Sequence, residues 1–408
     1  MILKKLSNPI FYLFAFLPIA LIVGSFATNF LLLIFLIIFI FSFKNFFKEI
    51  NKNYFYVLLC FYFYLNLNTI ASNNLDITFE RNFSYLRFLV FFIVINYFIT
   101  KFDQKKFKKL VKFWIIINLI LCFDLIFQNI FGHNIIGYKL NDQFRNSSFF
   151  FEELVAGGFI FSIGYLTGAL FYLKFRKKYI TLFYLTLLTV ACFLTGERSN
   201  FIKSVILYLF FIAIIFRDFN KKEILTILSL ILISTFVTLK FSTNTVERFK
   251  SQVQFSNIKH SNLINKYLDT QWGAHAVVSY LIIKDNPYFG VGNKNFRHEC
   301  AKYQKILKKD YKIRASGCAT HPHQIYYELL SEHGIIGTLF IFLIFFYLIL
   351  IRFKQKNFNI VNYISLAHII IILIPILPYG SFFTSNIATV FWINFVFFMT
   401  QFKPIGKS

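Results

Sequence analysis

The residues best suited to chemistry fall between Pro287 and Gly337. They read Pro287-Tyr-Phe-Gly-Val-Gly292-Asn-Lys-Asn-Phe-Arg297, then Thr320-His-Pro-His323-Gln324, then Gly334-Ile-Ile-Gly337. His321 and His323 straddle a proline where a polar stretch meets an apolar one. A neutral imidazole there can accept a proton from a sugar hydroxyl near pH 7. The same pair could ligate a metal, but no Cys or carboxylate cluster nearby completes a tetrahedral set. It could also simply anchor a helix start. Lys294 and Arg297 follow the glycine-rich turn and could meet a diphosphate, while Gly290 and Gly292 permit a tight bend. The Gly-Lys-Ser/Thr ending of a nucleotide phosphate loop is absent.

Further charged residues stand at other boundaries of apolar runs. Arg198 lies in Thr195-Gly-Glu-Arg-Ser-Asn200. Its guanidinium could hold a diphosphate bidentately, or snorkel at the interface, or be neutralised by Glu197. Arg145-Asn-Ser-Ser-Phe-Phe-Phe-Glu152-Glu153 precedes the apolar run that contains Gly157. Two carboxylates at a bilayer interface must be solvated, paired or useful. Glu152 reads as complementing a helix N-terminus. Glu153 could do the same, bind sugar hydroxyls, or serve as a base in place of His323. Arg87, just inside another apolar run, needs a polar partner and could line the same cavity or snorkel outward.

The elements that must position these groups are read from composition and spacing. The chain has 408 residues, 57% of them hydrophobic, including 60 Phe. With 15% charged residues, against about a quarter in soluble domains, lipid has to be the solvent for much of it. Apolar runs of spanning length lie near 9–25, 28–43, 54–71, 83–100, 110–131, 152–173, 179–195, 199–216, 223–239, 335–351, 360–379 and 387–402. The expectation is an all-α polytopic membrane protein of about twelve spans, with no cleavable leader evident and the first run retained. The net charge of +25 does not imply nucleic acid. Lys and Arg concentrate in every second short gap: 44–52, 101–109, 174–178, 217–222 and 352–356. That alternation puts both termini in the cytoplasm.

The same parity places residues 240–322 outside, as a loop between a first block of spans at 1–239 and a second at 323–408. Its 14 Lys and Arg do not oppose this, because long loops translocate regardless of charge. Within it, Leu268 to Lys284 reads as an amphipathic helix resting on the bilayer. Cys300 and Cys318 are the two cysteines of the loop. In an oxidising compartment they are expected to pair and to restrain it by about 3 kcal/mol.

His323-Gln324, nine residues, Gly334, two residues and Gly337 resembles the signature of the O-antigen ligase and polymerase superfamily. The stretch from Gly290 to Gly337, with Glu332 before Gly334, resembles the core of that domain. The expected topology is similar too. The resemblance implies a metal-independent, inverting, glycosyltransferase C-like enzyme of the bacterial inner membrane, with no cofactor. It implies a glycan on undecaprenyl diphosphate as donor, and lipid A-core or a growing glycan as acceptor. It places the motif histidine, acting on the acceptor hydroxyl, at His323, and a periplasmic arginine at Arg198. An arginine usual in the loop helix has no counterpart here; Gln271, Trp272 and His275 stand there, with His275 the candidate substitute. Ligase and polymerase share the signature. A lipid-linked oligosaccharide flippase is the rival reading, but repeated halves and charges spread through the core are not evident.

Overall fold

The computed structural model describes residues 2–139, 145–153, 155–215, 229, 240, 245–247, 263–311, 313 and 315–402. All regular structure among them is helical, apart from one bridge between His133 and Lys139. The helices are α1 (Ile2–Val23), α2 (Ser25–Phe41), α3 (Phe43–Glu49), α4 (Lys52–Ile70), α5 (Leu75–Ser84), α6 (Leu86–Ile99) and α7 (Gln104–Phe131). There follow α8 (Ala156–Phe175), α9 (Lys178–Leu194) and α10 (Arg198–Ile215). The polar loop supplies α11 (Leu263–Leu268), α12 (Gln271–Asp285) and α13 (Phe296–Lys309), and the chain closes with α14 (Ile325–Lys354), α15 (Ile360–Ile372) and α16 (Ser385–Met399).

Among the described residues six helices are long and apolar enough to cross a membrane, with α5 and α6 together (Leu75–Ile99) counting as one. They become seven if α2 and α3, bent by 85° at Ser42, count as one span. The apolar helices α9, α15 and α16 are shorter, at 17, 13 and 15 residues, and occupy three of the expected spans. The expected run at 223–239 lies almost wholly outside the described residues. A polytopic helical bundle is therefore what the structure shows of the twelve-span expectation.

Most buried apolar side chains form one cluster through the bundle, rich in aromatic contacts such as Phe345 with Trp392, Phe391 and Phe395. In lipid such close packing, rather than escape from water, holds helices together. A second, smaller cluster joins Val278, Ile282 and Ala274 of α12 to Phe296, Tyr303 and Leu307 of α13. It gives the polar loop a core of its own. The face of α12 carrying Ala274, His275, Val278 and Ile282 is thus turned to protein.

The feature that positions the loop is a break inside α14. Gly334 adopts φ 64°, ψ −174°, which no helix allows. Two turns of helix end there, and their polar groups need partners. The segment Pro287–Gly292 supplies them. Ile335 and Ile336 donate their N–H groups to Pro287 and Tyr288 carbonyls at 2.8 and 3.1 Å. On the other side, Val291 and Gly292 donate to Ser331 and Glu332 carbonyls, both at 2.9 Å. The Asn68 side chain of α4 accepts from Asn293 N–H at 3.1 Å and donates to Phe289 O at 3.2 Å, fastening this strap to the bundle.

The signature glycines follow from this closeness. A Cβ on Gly334 would lie 2.3 Å from the Tyr288 carbonyl carbon, and one on Gly290 2.5 Å from that of Glu332. One on Gly337 would meet the Tyr64 hydroxyl. Gly334→Ala combines that clash with a left-handed φ. It is expected to cost about 3 kcal/mol or more, read as a lower melting temperature in detergent. An unchanged melting temperature would show that the strap does not pack against the break.

Candidate functional site

Three imidazoles meet in front of the first turn of α14. The His323 ring lies 4.0 Å from that of His321 and 5.4 Å from that of His275, centroid to centroid. Trp272 stands edge-on to His323 at 5.3 Å. His323 itself has φ 57°, a left-handed conformation unfavourable outside glycine, and such strain collects at functional sites. The strain is held from both sides. Gln324 caps α14 by accepting from Tyr327 N–H at 2.9 Å, and the His323 carbonyl accepts from Tyr379 N–H at 2.9 Å.

The supports of the other two rings differ. His275 is fully buried on α12, with Nδ1 3.0 Å from the Gly317 carbonyl. His321 Nδ1 meets the Thr320 hydroxyl at 3.0 Å. The Nε2 atoms of both are buried without a partner among the described residues. A disulfide joins Cys300 of α13 to Cys318, three residues before His321. Among the described residues no group of His, Cys, Asp or Glu is arranged to hold a metal ion.

Behind the imidazoles lies a buried polar network that the sequence did not announce. Lys294, at φ 66°, donates its N–H to Glu332 at 2.8 Å; its Nζ bonds the Ser381 hydroxyl and lies 3.6 Å from Glu328 Oε1. Glu328 also accepts from the Ser381 hydroxyl and from Phe382 N–H at 2.9 Å. Glu332 accepts a further bond from Phe296 N–H, 3.3 Å away, at the start of α13. Glu328 and Glu332 are four residues apart, hence on one face of a helix. That spacing was the available signal.

The second half of the site surrounds Arg198. Gly157 N–H donates to Glu197 Oε1 at 2.8 Å, and Asn200 donates to its other oxygen at 2.6 Å. The Thr195–Arg198 turn thus docks against Gly157, where a Cβ would come within 3.0 Å of the Thr195 hydroxyl. Burial raises the Glu197 carboxyl above the ordinary range, and the nearby Arg145 guanidinium opposes this. Asn146 sets that arginine in place by donating to the Leu194 carbonyl at 2.7 Å. Arg145 and Arg198 are close enough for their charges to repel.

One peptide group joins the two halves. The Pro378 carbonyl accepts from the Ser199 hydroxyl at 2.8 Å and from Lys203 Nζ; the amide of the same peptide is the Tyr379 N–H that holds His323. Since the O and N of a peptide are about 2.2 Å apart, His323 O and the Ser199 hydroxyl lie within about 8 Å. Lys203 is buried in α10, 4.8 Å from the centroid of the Tyr379 ring. A lysine within an apolar run is by default a functional suspect, and that signal was present in the sequence.

Other expected residues stand apart from this junction. Arg87 donates to the Ser385 hydroxyl at 3.4 Å, at the start of α16, and lies over the Phe88 ring. Glu152 and Glu153 are exposed, with Glu153 accepting from Asn386 at 3.4 Å. Arg297, exposed on the first turn of α13, is instead close enough to His321 for its charge to lower the basicity of that ring.

The class is set by these observations together: a multi-pass helical membrane protein in which a polar segment packs against the break in one helix. Residues 182–342 match the family model described as O-antigen ligase. No curated protein matches the chain. Over that segment the chain is similar to the O-antigen ligase/polymerase superfamily, and the match supports an enzyme of that glycosyltransferase-like type. The match contains Arg198, Lys203, His275, Lys294, His321, His323 and both signature glycines, while Arg87, Arg145 and Glu153 precede it.

Burial pushes His323 down to about 3 and His321 to about 4, with the neighbouring imidazoles adding to both and Lys294 to the latter. Both rings are therefore neutral at pH 7, with lone pairs available. Folded values below the ordinary one mean that the unfolded chain binds more protons as pH falls beneath about 6.5. Stability is retained above that pH and lost below it. The melting temperature of the wild type is expected to fall between about pH 6.5 and about pH 4 more steeply than that of a His321→Gln/His323→Gln double variant. Parallel slopes would show ordinary, solvated imidazoles.

Proposed function

We propose that the chain transfers a glycan from undecaprenyl diphosphate to a saccharide hydroxyl at the periplasmic face of the inner membrane, as an O-antigen ligase or repeat-unit polymerase. The supporting observation is the single peptide, Pro378–Tyr379, that holds His323 on one side and the helix starting at Arg198 on the other. An acid–base group and a diphosphate-binding group need that proximity to serve one reacting centre. The matched family supplies the reaction class.

In this reading the acceptor hydroxyl attacks the anomeric carbon from the side opposite the diphosphate, so the configuration inverts. A new C–O bond forms, the old bond to diphosphate breaks, and the hydroxyl proton passes to the His323 imidazole. No metal is needed, because guanidinium groups take up the charge of the leaving diphosphate. Arg198 and Arg145 lie side by side for this role, with Arg297 and Lys294 flanking the imidazoles. His321 and His275 hold His323 in place and can bind sugar hydroxyls through Nε2. Arg87, at the start of α16, is assigned a weaker part in binding.

Burial is the main cause of the imidazoles' low basicity, and neighbouring positive charge adds to it at His321. A diphosphate brought in by the donor favours the protonated ring, so His323 becomes a better base once the donor is seated. Glu153 is less well placed for this step, being exposed and bonded to Asn386.

Purified protein supplied with a lipid-diphosphate donor and acceptor is expected to release undecaprenyl diphosphate. His323→Ala and Arg198→Ala are each expected to slow that release by about a hundredfold or more, with Arg198→Lys intermediate. Full activity in both alanine variants would remove the assignment. In cells, a glycan-free lipid A-core marks a ligase and a single capped repeat marks a polymerase.

A further inference from the structure

Helix α13 divides its surface by chemistry. Phe296, Glu299, Cys300, Tyr303 and Leu307 are buried. Arg297, His298, Lys302, Lys305, Lys308 and Lys309 are exposed. At 100° per residue the six exposed groups occupy an arc of about 140°. Glu299 pairs with Lys302 at 2.6 Å and is the one acid of the helix. The remaining cations form a row about 18 Å long.

The row has a direction. Phe296 N–H is bonded to Glu332 behind the imidazoles, and Cys300 is tied to Cys318, three residues before His321. The Arg297 end thus abuts the imidazole cluster, while Lys308 and Lys309 lie at the far end. Insertion of such a helix into the bilayer would require its apolar residues to enter lipid. Here those residues are covered by α12 in the loop's own core. What is left outward is charge, with Ile306 at its edge.

We infer that the outward face of α13 is a docking track for an acidic saccharide acceptor, one carrying carboxylate or phosphate groups, and that it leads the acceptor's free hydroxyl to His323. A row of ammonium groups spaced over several sugar units complements a polyanionic chain and attracts no neutral one. The inference rests on the transfer reading given above, and deepens it by naming the acceptor's charge.

The test is direct binding to the full chain in detergent micelles, with fluorescent tetragalacturonate as the acidic probe and maltotetraose as the neutral one. Wild type is expected to bind tetragalacturonate and to lose it between about 0.05 M and about 0.5 M salt. A Lys305→Gln/Lys308→Gln/Lys309→Gln variant is expected to bind it about fivefold more weakly or worse, with maltotetraose binding equally poor in both. Equal tetragalacturonate binding by both proteins, or none by wild type, overturns the track. So does a loss confined to phosphatidylglycerol vesicles, which would mean a lipid surface. Binding by the track with no transfer by wild type would sink the enzymatic reading alone.

Discussion

A helix cannot be interrupted inside or beside a bilayer unless something else satisfies its backbone, and the break at Gly334 sets that demand here. The strap from Pro287 to Gly292 meets it with four main-chain bonds, two on each side of the interruption. Most of what surrounds the imidazoles descends from this exchange. It fixes where Lys294 emerges, where α13 begins, and how Glu332 comes to bond two backbone amides across the junction. Gly290 and Gly334 are its steric signature, because no side chain fits between two backbones at that separation.

Around the junction, polar groups are arranged in two kinds. Lys294, Glu328, Glu332 and Ser381 saturate one another and set a rigid floor. Above that floor His275 and His321 each keep one ring nitrogen, Nε2, without a partner among the described residues. A saturated base beneath an unsaturated face is what a site must have if it is to hold shape while offering bonds to a guest. Arg145 and Arg198 are half-buried, as His321 and His323 are.

The parts legible in sequence are those whose signal is local. Helix positions followed from the length of apolar runs, and the spacing of His323, Gln324, Gly334 and Gly337 reflects a single cap and a single break. The joining of Ser199, Lys203, Pro378, Tyr379 and His323 was not legible, since those residues come from three segments remote in the chain and meet only through packing. Glu153 shows the converse. Its neighbours in sequence suggested an acid at the site, yet its side chain faces outward, because the turn after Phe150 directs it toward Asn386 rather than toward the imidazoles. Lys203 carried a signal of its own, a basic residue in an apolar stretch, but its partner carbonyl lies 175 residues away and only packing brings it near.

The Pro378–Tyr379 peptide, held by the two walls through its opposite ends, gives the pocket a mechanical property. A peptide plane is stiff, so a tilt of the segment between α15 and α16 would carry the imidazole wall and the arginine wall as one unit. The spacing between His323 and the start of α10 would survive such a tilt unchanged.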